Sequence, residues 1–285
     1  MPKTYSELYI GVRRALRDAG VEAYGLEARL IVAHAAGKPA EKLVQSMNLY
    51  TSDEVERRTD EYLSRRLAGE PAAYITGEWE FYGLPMRVTR DTLIPRADTE
   101  VLVDTALGLL RGRKDDARIL DLCCGSGCIG CALAKALPQS RVVMADISPA
   151  ALEVARSNAE SNGLGGRFQC VEADAMLQPP VLLGSFDMIV CNPPYIETAE
   201  IETLDGSVRC YEPRAALDGG ADGLDFYRSV LSRWKSLLRI ASEIVFEIGE
   251  TQAEDVIRLM RLAGFKSVEC VKDTAGLDRV VYGRI

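Results

Sequence analysis

Histidine is almost missing from this chain of 285 residues: His34 is the only one. It falls in an N-terminal stretch patterned as helix, so no imidazole is on offer as a strong general base and His34 is expected to be a structural or surface residue. Positive charge is short as well, with 34 Lys and Arg against 42 Asp and Glu, a formal net charge of −8 and a pI near 5.0. A chain of this balance lacks the clustered cations that hold nucleic-acid phosphates, so stable nucleic-acid binding is not expected. No uninterrupted apolar run approaches a membrane span, and the opening "MPKTYSELYI" has no basic-then-apolar pattern, which gives the expectation of a cytoplasmic protein without membrane partners. A second C-x2-C to match Cys128 and Cys131 is also absent. A four-cysteine zinc site is therefore not expected, no metal is, and the eight cysteines read as reduced packing thiols.

What is present is an ordinary globular composition, 47% hydrophobic and 27% charged, long enough for one large domain and a smaller one. From Tyr5 to about Ala68, apolar residues recur at helical spacing: Leu8, Val12 and Leu16, then Leu30, Ile31 and Ala35, then Leu43 and Met47, then Val55, Tyr62, Leu63 and Leu67. Gly20, Gly37 with Pro39, and "TSDE" from Thr51 punctuate them. Residues 1–74 are expected to form a small helical domain. The segment 75–95, with short β-prone runs broken by Gly77, Gly83 and Pro85, suits a hairpin linker. Residues 96–285 then alternate between helical patterns and strand candidates at 118–122, 141–146, 168–172, 186–191, 243–248, 267–271 and 279–282. That alternation predicts an α/β fold with a mostly parallel, Rossmann-like sheet, its last two strands antiparallel across the short "KDTAGLD".

The stretch "RILDLCCGSGCIGCALA" supports two incompatible readings. Cys124, Cys128 and Cys131 have the C-x3-C-x2-C spacing of a radical iron–sulfur enzyme. Cys128 and Cys131, however, sit one turn apart at the start of a helix, and Gly130 stands where such enzymes usually carry an aromatic residue. Read by its glycines, the same stretch is a strand-to-helix loop at the carboxyl end of the first strand, where open α/β sheets bind ligands. Gly125 and Gly127 let backbone approach a ligand, and Gly130 permits close helix packing. Asp121 at the strand end repels a pyrophosphate and suits a cationic amino-acid group. Asp146, ending the next strand, is placed to accept both hydroxyls of a ribose. Turns use glycine everywhere, so the loop alone would be weak; with Asp146 and a second motif it points to S-adenosylmethionine.

The second motif is "NPPY", Asn192 to Tyr195, directly after an apolar strand and on the same rim. Asn and Pro also make ordinary turns. A planar –NH2 attached to a carbonyl or an aromatic ring is a poor nucleophile, because its lone pair is delocalised. It becomes usable when acceptors, here the Asn192 side-chain oxygen and the Pro193 carbonyl, hold its two hydrogens and aim the nitrogen at a methyl sulfonium. Tyr195 would stack on the planar group, and the gain is orientation rather than strong base catalysis.

D-x3-G-S-G-x2-G after the first strand and N-P-P-Y after the fourth resemble the S-adenosylmethionine-dependent amino-methyltransferases, which modify adenine or glutamine. The stretches "EPAAYITGEWEFYGL", "TLIPRADTE", "EPRAALDGGADGLDFYR" and "VFEIGETQ" are similar, in order and spacing, to the release-factor glutamine methyltransferases of the PrmC/HemK family, over essentially the whole chain. That resemblance implies methyl transfer to the glutamine of the Gly-Gly-Gln motif in class 1 peptide chain release factors, which would be the protein partner. It implies that Asp121, Leu122, Cys123, Cys124, Gly125 and Gly127 form the cofactor loop, that Asp146 holds the ribose and that Asp174 with Ala175 lies near the adenine. Asn192, Pro193 and Tyr195 would be catalytic, with Asn192 touching cofactor and substrate, and Asn192, Pro193, Pro194 and Tyr195 would bind the glutamine amide. Two departures stand out: Ala175, where some members carry a large aromatic, and the cysteine-rich loop. Phe81 and Arg96 suit either a site wall or linker packing. An adenine N6-methyltransferase acting on RNA or DNA is the alternative on the same N-P-P-Y chemistry, and a non-catalytic adaptor the third reading.

Overall fold

Thr4 starts the first helix by a reciprocal cap, its hydroxyl accepting from Glu7 N and its own N–H donating to the Glu7 carboxylate at 2.8 Å. The computed structural model describes residues 3–114 and 116–285. Two units emerge, one of residues up to Glu78 together with Gly206–Tyr211, the other of Trp79–Asp205 with Glu212–Ile285.

The first unit is helical: α1 (Tyr5–Asp18), α2 (Tyr24–Ala35), α3 (Asp53–Leu67) and the short α4 (Ala72–Thr76). Leu8, Val12, Leu16, Ile31, Val32 and Leu43 form its core, most of them on the predicted helical spacing. Leu67, which fits the same spacing, is exposed because it ends the last turn of α3. His34 packs on the Tyr62 ring at 5.2 Å, and burial followed by Arg58 pushes its pKa down.

The second unit opens with a hairpin, β1 (Glu78–Phe81) and β2 (Leu84–Arg87), turned by Tyr82 and Gly83 with φ of 54° and 71°. Two successive positive φ values are the mark of the tight hairpin turn whose twist matches its strands. The expected linker, 75–95, is bound to this unit over its hairpin: Asn158 Oδ1 accepts from Arg87 N at 2.7 Å and its Nδ2 donates to Arg87 O, while Asn162 Nδ2 donates to Pro85 O. Phe81 is buried in the core rather than at a site wall.

After α5 (Glu100–Leu110) come β3 (Arg118–Leu122), α6 (Cys128–Ala136), β4 (Arg141–Asp146), α7 (Pro149–Ser161), β5 (Phe168–Glu172) and β6 (Phe186–Cys191). A single helical turn, α8 (Gly206–Arg209), belongs to the first unit; α9 (Asp225–Arg233), β7 (Leu238–Glu247), α10 (Ala253–Leu262), β8 (Ser267–Lys272) and β9 (Asp278–Arg284) complete the second. The sheet runs β5-β4-β3-β6-β7-β9-β8, parallel through β7, with β9 antiparallel to both neighbours. Its side chains alternate: Ile119, Met144 and Val190 face α5, α6 and α7, while Leu120, Val143 and Ile189 face α9 and α10. Burial on both faces is why these strands read as continuous apolar runs.

The strand expected at 243–248 begins five residues earlier. Its register against β6 jumps from Phe186↔Leu238 to Met188↔Glu243, and Ile240 and Ala241, the latter at φ 63°, bulge out with Ile240 95% exposed. Strand order reverses around β3: β4 and β5 lie on one side, β6 and β7 on the other. The carboxyl ends of β3, β4 and β6 therefore frame the crevice where such sheets bind ligands.

Candidate active site

The loop from β3 to α6 is held in an unusual shape. Cys123, Gly125 and Gly127 all take positive φ, at 60°, 53° and 74°. Cys124 N donates to Ala145 O at 3.1 Å, pinning the loop to β4, and Gly127 N donates to Cys124 O at 2.8 Å. The glycines serve different ends. A Cβ on Gly125 would meet nothing within 4 Å, so its backbone lies open to the crevice, whereas one on Gly130 would come within 2.8–3.1 Å of Met144, Asp121 and Val142. Gly127 combines positive φ with a Cβ position 2.9 Å from Ala155.

Asp121 lies beneath that loop, 0% exposed. Its Oδ2 accepts from Gly130 N at 2.8 Å, and its Oδ1 is buried with no hydrogen-bond partner among the described residues. Burial, reinforced by Asp146, pushes its pKa up to about 7 against the pull of the Gly130 amide. Asp146 is better served: Oδ2 accepts from Gly125 N at 2.8 Å and Oδ1 from Ser148 N at 2.9 Å. Burial still outweighs these bonds and raises its pKa. The carboxylate thereby ties the glycine loop to the start of α7, whose first turn is capped by Ser148.

These groups border a cleft of about 480 Å³, within the range of small-molecule sites. Cys123, Cys124, Gly125 and Asp146 form one wall, Asp174 and Ala175 another, and Asn192 and Pro194 a third. Asp174 turns its own loop, accepting from Met176 N at 2.7 Å. Ala175 lines the cleft while its carbonyl accepts from the Trp234 indole and the Ser229 hydroxyl. Phe226, from α9, is the one aromatic side chain lining this cleft among the described residues. Arg96 also reaches the cleft, paired with the buried Glu212 carboxylate, whose second oxygen accepts from Ile94 N.

The "NPPY" segment is clamped from behind. Ile196 N donates to Leu217 O and Gly219 N to Ile196 O, and a Cβ on Gly219 or Gly223 would fall 2.7 Å from Tyr195 Cα or 2.4 Å from Tyr195 O. Gln252 Nε2 donates to Tyr195 O at 2.9 Å. Asn192 Nδ2 donates to Thr99 Oγ1 at 3.4 Å; no described residue is bonded to its Oδ1, on a side chain that is part of the cleft wall. Tyr195, expected to stack on the reacting group, is half-buried with its hydroxyl donating to Glu247 Oε1 at 3.3 Å. Burial first and Glu247 second raise the pKa of that phenol.

Of the residues singled out from sequence, Cys123, Cys124, Gly125, Asp146, Asp174, Ala175, Asn192 and Pro194 line one cleft, while Asp121, Leu122, Gly127, Pro193 and Tyr195 lie behind its surface. Thr99, Phe226, Glu247 and Gln252 were given no role by the sequence reading. All four sat inside quoted stretches, "TLIPRADTE", "EPRAALDGGADGLDFYR" and "VFEIGETQ", so the signal was present but not its geometry. The cysteines behave as packing residues: Cys128 and Cys131 are buried in α6, and burial pushes the Cys128 thiol up to about 12 and raises those of Cys124 and Cys131. Thiolates are the form that would bind iron, and this environment opposes them. Among the described residues no group of three or more His, Cys, Asp or Glu could hold a metal ion, and no helix is long and apolar enough to cross a membrane.

Residues 7–77 match the PrmC N-terminal domain family and residues 99–206 the Methyltransferase small domain family. A protein of Agrobacterium fabrum named release factor glutamine methyltransferase is 40% identical over 99% of this chain and 97% of its own. One of the same name from Geobacter sulfurreducens is 42% identical over 96% and 94%. Among solved structures, the hMettl16 catalytic domain in complex with MAT2A 3'UTR hairpin 6 is 16% identical with a TM-score of 0.59, covering 78% of this chain and 81% of that one. A methyltransferase from Pyrococcus furiosus is 18% identical with a TM-score of 0.53, covering 79% and 98%. At such identities the two structures speak to the fold alone.

Proposed function

From a chain that belongs to the release factor glutamine methyltransferase family, we propose a protein-(glutamine-N5) methyltransferase that uses S-adenosylmethionine to methylate the glutamine side-chain amide in the Gly-Gly-Gln motif of class 1 peptide chain release factors. Support for the cofactor comes from the cleft's own groups. Gly125 leaves open space where any Cβ would stand, Asp146 has lone pairs to spare for two hydroxyls after its backbone bonds, and the partnerless Asp121 Oδ1 suits a nearby cationic group. When bound, the cofactor supplies an electrophilic methyl on a sulfonium and leaves as a neutral thioether.

This chain's part is to present the nucleophile. Asn192 Oδ1, on the cleft wall, accepts an amide hydrogen of the substrate glutamine, so that the nitrogen is turned toward the methyl group. As the nitrogen–carbon bond forms, the carbon–sulfur bond breaks and the nitrogen gives one proton to solvent. The observation that carries the reading is Asn192 on the cleft wall with its Nδ2 committed to Thr99 and its Oδ1 available.

The test is mass spectrometry of a release factor incubated with the protein and S-adenosylmethionine. One added methyl is expected on the Gly-Gly-Gln glutamine, and Asn192→Ala is expected to slow transfer by about 10²–10³-fold, the usual loss for a group aimed at the reacting atoms. An unmodified release factor beside a methylated RNA or DNA adenine would overturn it.

A further inference from the structure

S-adenosylmethionine carries a carboxylate beside its sulfonium, its ammonium and its ribose. Asp121 suits the cationic side and Asp146 the ribose; the carboxylate needs donors of its own, because an anion taken out of water without them is costly. The glycine loop is poorly placed to supply them. It has spent the amides of Cys124, Gly125 and Gly127 on Ala145 O, Asp146 Oδ2 and Cys124 O, and Asp121 and Asp146 set two carboxyl groups against it.

Arg90 and Arg96 are the two cationic side chains that line the cleft among the described residues. Hydrogen bonding ties Arg96 to the side where the methyl group has to be delivered: Thr99 N donates to Arg96 O at 3.1 Å, and the Thr99 hydroxyl accepts from Asn192 Nδ2 at 3.4 Å. In the sheet β3 stands between β4 and β6. A cofactor with its ribose at Asp146, on β4, and its methyl toward Asn192, after β6, therefore brings its amino-acid arm to the part of the cleft that Arg96 lines.

The guanidinium is held ready there. Its Nη2 donates to Glu212 Oε1, and Glu212 Oε2 accepts from Ile94 N at 3.3 Å, so one carboxylate fixes the side chain and the backbone two residues before it. The Glu212 side chain is 1% exposed and that of Arg96 41%, which puts the anchor in the interior and the cation at the open cleft. Glu212 is the one hydrogen-bond partner of this guanidinium among the described residues, which leaves Nε and Nη1 to donate. A planar fork with donors to spare matches a carboxylate in geometry and in charge. The bond from Ile94 N already ties the two segments together, so the ion pair is not needed for that alone.

We propose that Arg96, braced by Glu212, binds the carboxylate of S-adenosylmethionine and so fixes the amino-acid arm with its sulfonium methyl aimed at the substrate nitrogen. This rests on the cofactor reading above and gives a task to a residue that the sequence left between a site wall and linker packing.

Isothermal titration calorimetry with two ligands tests it: S-adenosylmethionine and decarboxylated S-adenosylmethionine, each titrated into wild type, Arg96→Met and Arg96→Lys. Arg96→Met is expected to raise the Kd of S-adenosylmethionine by about 10–100-fold, the scale of a lost hydrogen bond to a charged group, and to leave that of the decarboxylated ligand within about twofold of wild type. Arg96→Lys keeps the cation and loses the fork, and is expected to fall between. The decarboxylated ligand doubles as the check on folding, since a collapsed cleft loses both ligands alike. Equal losses for the two ligands in both variants, or no loss in either, would overturn the assignment. So would a raised KM for the release factor beside an unchanged cofactor Kd, which would give Arg96 to the protein substrate instead. A wild-type protein that binds neither ligand would sink the cofactor reading itself.

Discussion

A carboxylate without a counter-charge in a dry interior is a cost that a fold keeps only for a reason, and Asp121 is such a group. Its pKa of about 7, raised chiefly by burial from an ordinary 3.8, sets a sign. Between those values the folded state holds a proton that the unfolded state has released, so this group's contribution to stability falls as pH rises from about 4 to about 7 and is flat above. Asp121→Asn should therefore compare more favourably with wild type at pH 7 than at pH 5 in urea unfolding. An unchanged difference would show that Asp121 does not titrate in that window. Gly130 belongs to the same contact: its amide serves Asp121, and a Cβ there would stand 2.9 Å from Asp121 Oδ2 and 2.8 Å from Met144 Cε. Gly130→Ala should cost about 1–3 kcal/mol, as overpacked positions do, read as a lower denaturation midpoint.

At the scale of elements, the hairpin β1–β2 and the loop after β3 are braced by one side chain. Asn158 of α7 satisfies both Arg87 backbone groups and also donates to Ser126 O at 2.9 Å. Asn158→Ala leaves those groups unpaired in a buried place and should lower stability by about 2–4 kcal/mol, since each orphaned group costs about 1–3 kcal/mol. A change within experimental error in guanidinium unfolding would mean that water replaces the amide. β3, β4 and β6 were legible to the residue because apolar side chains covered on both faces leave a nearly unbroken apolar signal, whereas β5, at the edge of the sheet, is only partly covered and mixes polar residues into its run. The start of β7 was not, because Arg239, Ile240 and Ala241 form an exposed bulge that interrupts the buried run.

Across the whole molecule, many acidic side chains stand in exposed ion pairs, such as Arg228 with Asp222 and Asp225, and Arg258 with Asp255. Exposed pairs of this kind contribute little to stability, so ligand binding is the larger lever on it. A cofactor present at about 100 times its dissociation constant adds about 2.7 kcal/mol to the state that binds it, roughly 5–10 °C in the melting of a unit of this size. Scanning calorimetry with S-adenosylmethionine should show that shift in wild type, and a melting temperature indifferent to the cofactor would deny the cleft its ligand.

The alternation of helix and strand, the antiparallel end of the sheet, and the positions of the glycine loop, Asp146 and the "NPPY" segment at strand ends could all be read along the chain. Each rests on local signals: hydrophobic period, turn chemistry and motif spacing. Tertiary structure alone decided that Asp121 lies beneath the loop rather than in the cleft wall, that Tyr195 points its hydroxyl at Glu247, and that Thr99, 93 residues before Asn192 in the chain, faces its amide. Those facts depend on which strand ends become neighbours in the folded sheet. No local pattern along the chain records a direction of hydrogen bonding between segments that far apart.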